Sequence, residues 1–569
     1  MAQVAISRPF CEASSNMGAD LAQTLRCPLL LFLTGLSIGR GLESNGVIVQ
    51  LFEWRWSDVA KECTDFLGPK GFAAVQISPP VEHVQGPQWY TRYQPVSYNL
   101  TSRGGNEAEL RAAIAACKEA GVKVYVDAVF NHMAGQSGVG VAGTPYDSDA
   151  RTYAMYSPED FHHLDGNPVM NCRVTDFTKV KDKYSLQTCD ILGMPDLCTA
   201  CPSVRKRIGE HLRHVLDMGA GGLRIDAAKH MDDKELNQLL VEEVLSHGYN
   251  VDFTQEVFST ELQSIREDMY LHNGMVEFFE YYENVSLRFR WGRQMDELPK
   301  VVSAFETMIP SDKSVVFLDN HDMQRDGQAF LYYQRDALKH VLASVFMLAW
   351  PYGIPKLMSS YYFDEAVPGG IDAGPPPTPV HAGGRVDCGG DTTWVCEHRI
   401  PVIANMVAWR RAAGASPVSH WTVEGGNRIA FSRGDAFVAL NRRDLASEPW
   451  EARLRTTLPE GTYCDVAQSD DPSSCPRIMV RRGGIVEISL PAMTSLALHT
   501  GCQAASDPAP HAASASTGPG AFGVSAQSAF AVAGAAATLL LLAAVGTARM
   551  QALARGADHE SALRAPLWP

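Results

Sequence analysis

The 569-residue sequence lacks a basic excess: 49 Lys and Arg stand against 64 Asp and Glu, a formal net charge of -15. Phosphate backbones are held by a basic face, so this balance argues against a nucleic-acid partner. The sequence also lacks the CxxC…CxxC spacing of a zinc module; among 13 cysteines only Cys198 and Cys201 make a CxxC. Other cysteines fall into loose couples, Cys172 with Cys189, Cys388 with Cys396 and Cys464 with Cys475. That spacing suits structural disulfides in an oxidising compartment, with scattered free thiols of a cytosolic protein as the alternative. Charged residues make up 20% and apolar residues 46%, an ordinary globular balance able to bury a large core.

Long apolar runs are confined to the two ends. Residues 27–38 (CPLLLFLTGLSI) follow Arg26 and are too short to span a bilayer, which takes about 20 residues. They read as the apolar part of a signal peptide within a 1–40 targeting region, with Ser37, Gly39 and Gly41 as cleavage positions and Met17 as an alternative start. At the other end, 503–528 is rich in Ala, Ser, Gly and Pro and reads as a flexible linker. Residues 529–548 (AFAVAGAAATLLLLAAVGTA) carry no charge and are long enough to cross as a helix, with Arg549 and Arg555 opening a short 549–569 tail. A secretory-pathway protein is therefore expected, extracellular or lumenal, anchored by a single span if 529–548 inserts. An Ala-rich buried or disordered segment is the other reading of that run.

Between the ends, strand-like runs alternate with amphipathic helical stretches. The runs are 46–52, 72–78, 122–130, 222–227, 249–257, 275–279, 314–319 and 354–360; the helical stretches include 107–120, 204–218 and 233–246. Near-continuous apolar strands alternating with helices imply a parallel sheet covered by helices, and eight such units imply an α/β fold, a (β/α)8 TIM barrel, over 45–412. The third strand is joined to its helix near Ser203 by a connection far beyond the usual loop of about 2–6 residues. We read 133–200 as an inserted small domain. Short strands from 415 to 500 imply a C-terminal antiparallel β domain.

Active sites of such barrels lie at the C-terminal strand ends. Four of the predicted strands end in polar residues: Asp127 to His132, Arg224 to His230, Thr254 to Glu256 and Asp319 to Asp322. A lone Asp at a strand end usually caps the next helix; four ends carrying carboxylate, His, Asn and Arg together are hard to assign to capping. Retaining glycoside hydrolysis needs two carboxyl groups about 5–5.5 Å apart, which neighbouring strands can supply as Asp226 and Glu256. Arg224, two residues before Asp226, is expected to keep that carboxylate ionised as a nucleophile. Phe253, Val257 and Phe258 give Glu256 a less polar setting, which suits a general acid. Asp322, with His321, is placed to bind sugar hydroxyls of a distorted ring.

These segments resemble the signature regions of the α-amylase family of glycoside hydrolases, closest to its animal-type branch: VQLFEWRWSDVAKEC, GFAAVQISPP, RYQPVSYNL, DAVFNH, GLRIDAAKH, DNHDMQR, PYGIPKLMSSY and WVCEHR, spread over 46–498. The resemblance implies an enzyme that cuts α-1,4-glucans such as starch and glycogen, acting as a monomer. It implies Asp226 as nucleophile, Glu256 as acid/base and Asp322 as transition-state stabiliser. Trp89, Tyr90, Tyr93, Gln94, His132, Arg224, Lys229, His230 and His321 match substrate-contacting positions. A structural Ca2+ is implied between barrel and inserted domain, held by the side chains of Asn131 and Asp196 and the backbone oxygens of Gln187 and His230; hard oxygen ligands suit it. Chloride is implied at Arg224, Asn320 and Lys356, the last a point donor where many relatives carry the forked Arg.

The sequence departs from the family in places. Thr101 stands where relatives have cysteine, Cys198 and Cys201 are extra and can pair with each other, and Cys63 with Cys117 match a pair at the barrel edge. The glycine-rich loop after the seventh strand is replaced by 326–330 (DGQAF). Asn99 and Asn284 open glycosylation sequons. Two further functions stay open: a related α-glucosidase or transglycosylase on the same barrel, and a membrane-anchored, amylase-like partner protein without catalysis. The presence of Asp226, Glu256 and Asp322 together speaks against the last.

Overall fold

In the computed structural model of the chain, residues 45–503 are described apart from 177–178, 260–262, 293–294, 303–308, 326–329 and 390–391. The expected signal region, the linker beyond Gln503, the apolar run 529–548 and the tail lie outside the described residues. Among the described residues no helix is long and apolar enough to cross a membrane.

Eight short strands pair in parallel and close on themselves: β1 (Ile48–Leu51), β2 (Ala74–Ile77), β3 (Lys123–Ala128), β4 (Gly222–Ile225), β5 (Asp252–Gln255), β6 (Met275–Glu277), β7 (Ser314–Val316) and β8 (Ile354–Ser359), with β8 hydrogen-bonded to β1. The helices are α1 (Trp56–Glu62), α2 (Glu107–Glu119), α3 (Lys183–Thr188), α4 (Pro202–Asp217), α5 (Asp233–Glu243), α6 (Phe279–Trp291), α7 (His321–Arg325), α8 (Tyr333–Ala349) and α9 (Pro401–Ala413), of which α3 lies in the inserted segment and α7 at the cleft. Local chemistry sets their starts. Asn106 and Glu109 form a reciprocal capping box on α2, and Pro202 opens α4, where its missing N–H costs nothing.

The barrel interior is stacked by the two-residue strand period. Ile48, Ala74, Tyr125, Met275, Val315 and Ile354 form an apolar cluster at the strand beginnings. Gly222 belongs to the same level, where a Cβ would stand 2.7 Å from the Tyr125 ring. Two residues further along, seven of the eight strands change character to Gln50, Gln76, Asp127, Arg224, Thr254, Glu277 and Lys356, all buried, while β7 is followed by the apolar Phe317. A further step along β4 reaches Asp226. The polar layer thus stands between an apolar plug and the strand ends.

The segment between β3 and α4 holds small bridged ladders and α3, capped by Asp182, with disulfides Cys172–Cys189 and Cys198–Cys201. Cys63–Cys117, Cys388–Cys396 and Cys464–Cys475 complete five bridges, and Cys502 is a buried free thiol. Five bridges fit an oxidising compartment. After α9 come two four-stranded antiparallel sheets. One has the order β9 (Val418–Glu424), β10 (Arg428–Arg433), β11 (Ala436–Asn441), β16 (Thr494–His499). The other runs β12 (Trp450–Arg455), β15 (Ile485–Leu490), β14 (Arg477–Arg481), β13 (Gly461–Cys464). Trp409 on α9 donates from Nε1 to the Phe437 carbonyl at 2.9 Å and joins them to the barrel. The sequon at Asn284 does not lie in a surface loop as such sites usually do: Asn284 is inside α6, donating to the Glu280 carbonyl at 3.0 Å, and Ser286 is fully buried.

Glu397 fastens the residue after β8, accepting from the Ser360 N–H at 2.8 Å and its hydroxyl at 2.5 Å. Burial, with repulsion from Asp319, raises this carboxyl from 4.5 to about 7. A raised folded-state value means the protonated acid suits the fold better than the ion. The stability it contributes is present below about pH 4.5 and is lost as pH rises through about 7. The thermal midpoint of Glu397→Gln should therefore fall less than the parent's between about pH 5 and pH 8; parallel curves in a calorimetric pH series would contradict the assignment.

Candidate active site

Register places the key residues. Arg224 on β4 lies opposite Asp127 on β3 and Thr254 on β5. Its guanidinium is 1% exposed and meets four carboxylates. Nη1 donates to Asp127 Oδ1 at 2.8 Å and Asp226 Oδ1 at 2.5 Å; Nη2 lies 3.1 Å from Glu256 Oε2, and Nε 3.6 Å from Glu277 Oε1. Glu256 is fixed from a second side by the Ala227 N–H at 2.9 Å, and Ala227 takes the left-handed conformation (φ 50°) just where β4 turns outward. Asp226 and Glu256 are thus gripped by the two ends of one guanidinium.

Arg224 stands at the Asp226 carboxylate as expected, but it is shared with three other acids. Burial raises the Asp226 carboxyl well above its usual range, and Glu256, Asp127 and Asp322 raise it further by repulsion, against the pull of Arg224. One cation shared by four acids is not a private counter-ion. Arg224 also sits beneath the cleft floor, facing acids, rather than on the cleft wall with the other expected sugar contacts.

Above the floor a single cleft is lined by Trp89, Tyr90, Tyr93, Gln94, His132, Lys229, His230 and His321, together with Asp226, Glu256, Asn320 and Asp322. His321 Nε2 lies 3.2 Å from Asp322 Oδ2, and its Nδ1 bonds Gln50 Nε2 at 3.1 Å. Tyr93 and Phe52 stack on the His321 ring at 4.9 and 5.0 Å. The imidazoles are uncharged donors and acceptors: burial lowers His132 to about 4 and pushes His230 and His321 well below their usual value. Burial lowers Lys229 to about 8, and its ammonium donates to the Phe258 carbonyl at 2.6 Å.

Several cleft residues were not singled out by the sequence. Arg173, Leu192 and Met194 come from the inserted segment, where no strand or helix period exists to point at them, and Phe279 and Met323 follow β6 and Asp322. Glu277 is the buried partner of both Arg224 and Lys356. Its signal was available: a lone acid closing an apolar strand, MVE, two residues past Met275.

Of the calcium residues, Asn131 and Asp196 touch directly, and Gln187 and His230 stand on two segments bonded through their neighbours. Asn131 and Asp196 are each 1% exposed and their side chains meet at 3.0 Å. The Gln187 side chain donates to the Lys229 and Met231 carbonyls, and His230 Nδ1 meets the Leu186 carbonyl at 2.8 Å, so α3 is zipped to the β4 turn. Asp196 is short of positive charge: burial raises it to about 7, with His162 at 2.7 Å as its one ion-pair partner among the described residues. A buried acid beside amide and backbone oxygens fits a hard cation. No group of three or more His, Cys, Asp and Glu arranged for a metal exists among the described residues, as expected of a set with one carboxylate.

For chloride, Arg224 Nε is buried with no acceptor in hydrogen-bond geometry among the described residues, Lys356 is buried in the same layer, and Asn320, also buried, lines the cleft. These donors fit an anion. Lys356, however, already pairs with Glu277 and reaches Gln76 Oε1 at 3.3 Å.

A closed parallel barrel whose acidic strand ends open on an aromatic-walled cleft defines a barrel glycoside hydrolase. Residues 64–355 match the family described as alpha amylase, catalytic domain, and 421–501 match alpha amylase, C-terminal all-beta domain. An α-amylase of Thermomonospora curvata is 38% identical over 505 residues, covering 85% of this chain and 79% of its own. An α-amylase-related protein of Drosophila teissieri is 36% identical over 447 residues, 74% of this chain and 86% of its own. The crystal structure of α-amylase I from Eisenia fetida superimposes with a TM-score of 0.71 at 31% identity, over 81% of this chain and 98% of that one. A γ-CGTase from Alkalophilic bacillus clarkii, at TM-score 0.60 and 17% identity, shares the fold. The chain belongs to the α-amylase family.

Proposed function

We propose that this enzyme hydrolyses internal α-1,4-glucosidic bonds of starch, glycogen and related glucans with retention of anomeric configuration. The observation that carries the reading is the shared guanidinium: Asp226 on Nη1 and Glu256 on Nη2 are held as close neighbours, as a retaining pair requires. Glu256 protonates the leaving glycosidic oxygen while Asp226 attacks the anomeric carbon and forms the glycosyl–enzyme ester. Glu256 then takes a proton from water, which opens the ester and releases the sugar. Asp322, held by His321, lies in the same cleft to stabilise the cationic, distorted ring. Trp89 and Tyr90 supply ring faces for glucose, and the neutral histidines bond its hydroxyls without adding charge.

A mutant of Eisenia fetida α-amylase I is solved in complex with maltohexaose, which favours a polysaccharide substrate here. The likeness to the γ-CGTase rests on the fold and gives a transglycosylase reading no support of its own. The non-catalytic partner reading is disfavoured because all three carboxylates line one cleft. We assign calcium to Asn131, Asp196 and the carbonyls of Gln187 and His230, where it would tie the inserted segment to the barrel. We assign chloride to Arg224, Asn320 and Lys356, weakened because Glu277 competes for the ammonium. Bound there, the anion would add negative charge beside the acid/base.

Glu256→Gln should lose activity on soluble starch by about 10²–10⁴-fold, the worth of an acid/base group, while the parent's first product is the α-anomer by NMR. A β-anomer would overturn the retaining assignment. A chelator should lower the thermal midpoint of the parent and leave that of Asp196→Ala unchanged; equal responses would remove Asp196 from the calcium site. A halide-free sample should gain activity on chloride titration, and full activity without halide would sink the chloride assignment.

A further inference from the structure

Arg325 ends α7, three residues after Asp322, and its guanidinium is 2% exposed. It stands over four aromatic rings: 4.6 Å from the Tyr361 centroid, 4.8 Å from Phe52, 4.8 Å from Phe363 and 5.8 Å from Trp89. Nη1 donates to the His321 carbonyl at 3.2 Å and to Gln324 Oε1 at 3.3 Å. Nε and Nη2 are buried without an acceptor in hydrogen-bond geometry among the described residues. A cation placed this way is met chiefly by the negative faces of the rings, an attraction that strengthens as water is excluded.

The four rings come from different barrel ends. Phe52 follows β1, Trp89 lies beyond β2, and Tyr361 and Phe363 follow β8, while Arg325 itself follows β7. Two of them also touch His321, Phe52 stacked at 5.0 Å and Trp89 edge-on at 5.6 Å. Arg325 is not among the residues lining the cleft; Trp89, His321 and Asp322 are.

We propose that Arg325 is a positioning residue for the glucan-binding wall: its cation–π contacts hold Trp89 against His321 from behind, and the bond to the His321 carbonyl ties that wall to the strand end presenting Asp322. The rings also pack on one another and on His321, so loss of this cation should loosen Trp89 rather than release it. The inference rests on the glucan-hydrolase reading of the cleft and adds to it the reason the wall is rigid. Binding of the sugar should depend on Arg325 more than the chemical step does, because the proposed nucleophile Asp226 and acid/base Glu256 are fixed independently by Arg224 and Ala227.

The test is a cycle between Arg325 and Trp89 on soluble starch and maltoheptaose. Arg325→Met, which keeps bulk and removes charge, should raise KM about threefold to thirtyfold, the range a desolvated cation–π contact spans, with a smaller change in kcat. Arg325→Lys should recover part of the loss. In a Trp89→Leu background, Arg325→Met should raise KM little further, because the residue through which it acts is gone. Multiplicative KM losses in the double variant, or a fall in kcat with KM unchanged, would overturn the proposal. If Arg325→Met does not accumulate as folded protein, Arg325→Lys and Phe363→Leu carry the same cycle with Trp89→Leu. A parent without activity on starch would instead defeat the glucan-hydrolase reading, so the two failures are distinguishable.

Discussion

The cleft depends on one buried cation. Arg224 extends from the middle of β4 into the barrel, where the level below is closed by Tyr125, Ile48 and Ile354. It organises the acids of β3, β4, β5 and β6 at once. Removing one partner from a buried ion pair typically costs about 3–5 kcal/mol, because the other charge is left stranded. Here the loss would strand several acids at one level. Charge that would be prohibitive in an apolar core is tolerated because Lys356 and Gln76 extend the same layer and because the strand ends above it open to solvent. Catalytic geometry and barrel stability are therefore set by the same contacts.

Much of this was legible in the sequence. The eight strands stand where β-branched runs alternate with helical stretches, because strands buried on both faces leave long apolar signals. Asp226 and Glu256 stood out because they close such runs and Asp322 because it follows one closely, whereas the aromatic wall was implied by the family resemblance. The electrostatic balance was not. Arg224 two residues before Asp226 suggests a counter-ion, but how many acids share it depends on which strands neighbour β4 and in what register. Glu277 illustrates the limit: a single acid closing a short strand gains meaning only when β6 brings it to Arg224 and Lys356. Arg325 was visible only as part of a quoted motif; its four rings lie far apart in sequence.

The inserted segment marks the other limit. It lacks a strong period, so Arg173, Leu192 and Met194 carried no signal of their place on the cleft. Its attachment combines buried apolar side chains such as Tyr156, Phe161, Leu186 and Leu197, which join the barrel's core, with specific polar contacts. The Gln187 side chain and the Leu186 carbonyl grip the turn after β4, and Asp196 meets Asn131 after β3. Such contacts depend on backbone carbonyls, which every residue has, so sequence identity alone does not reveal them.

Arg224 and Arg325 show two ways of burying a guanidinium at one active site, with different consequences. Arg224 is met by carboxylates, which bind protons, so its surroundings change with pH and, in the proposed mechanism, with the passage of a proton between Glu256 and substrate. That responsiveness belongs at the point of bond cleavage. Arg325 is met by rings, which hold no exchangeable proton over the pH range of catalysis and keep the same electrostatic face throughout the cycle. Such a partner set belongs behind a binding wall, which has to present the same surface before and after the bond is cut. On this view the floor of the cleft carries the pH response and the wall is insulated from it, a division that follows from the counter-groups chosen for two identical side chains.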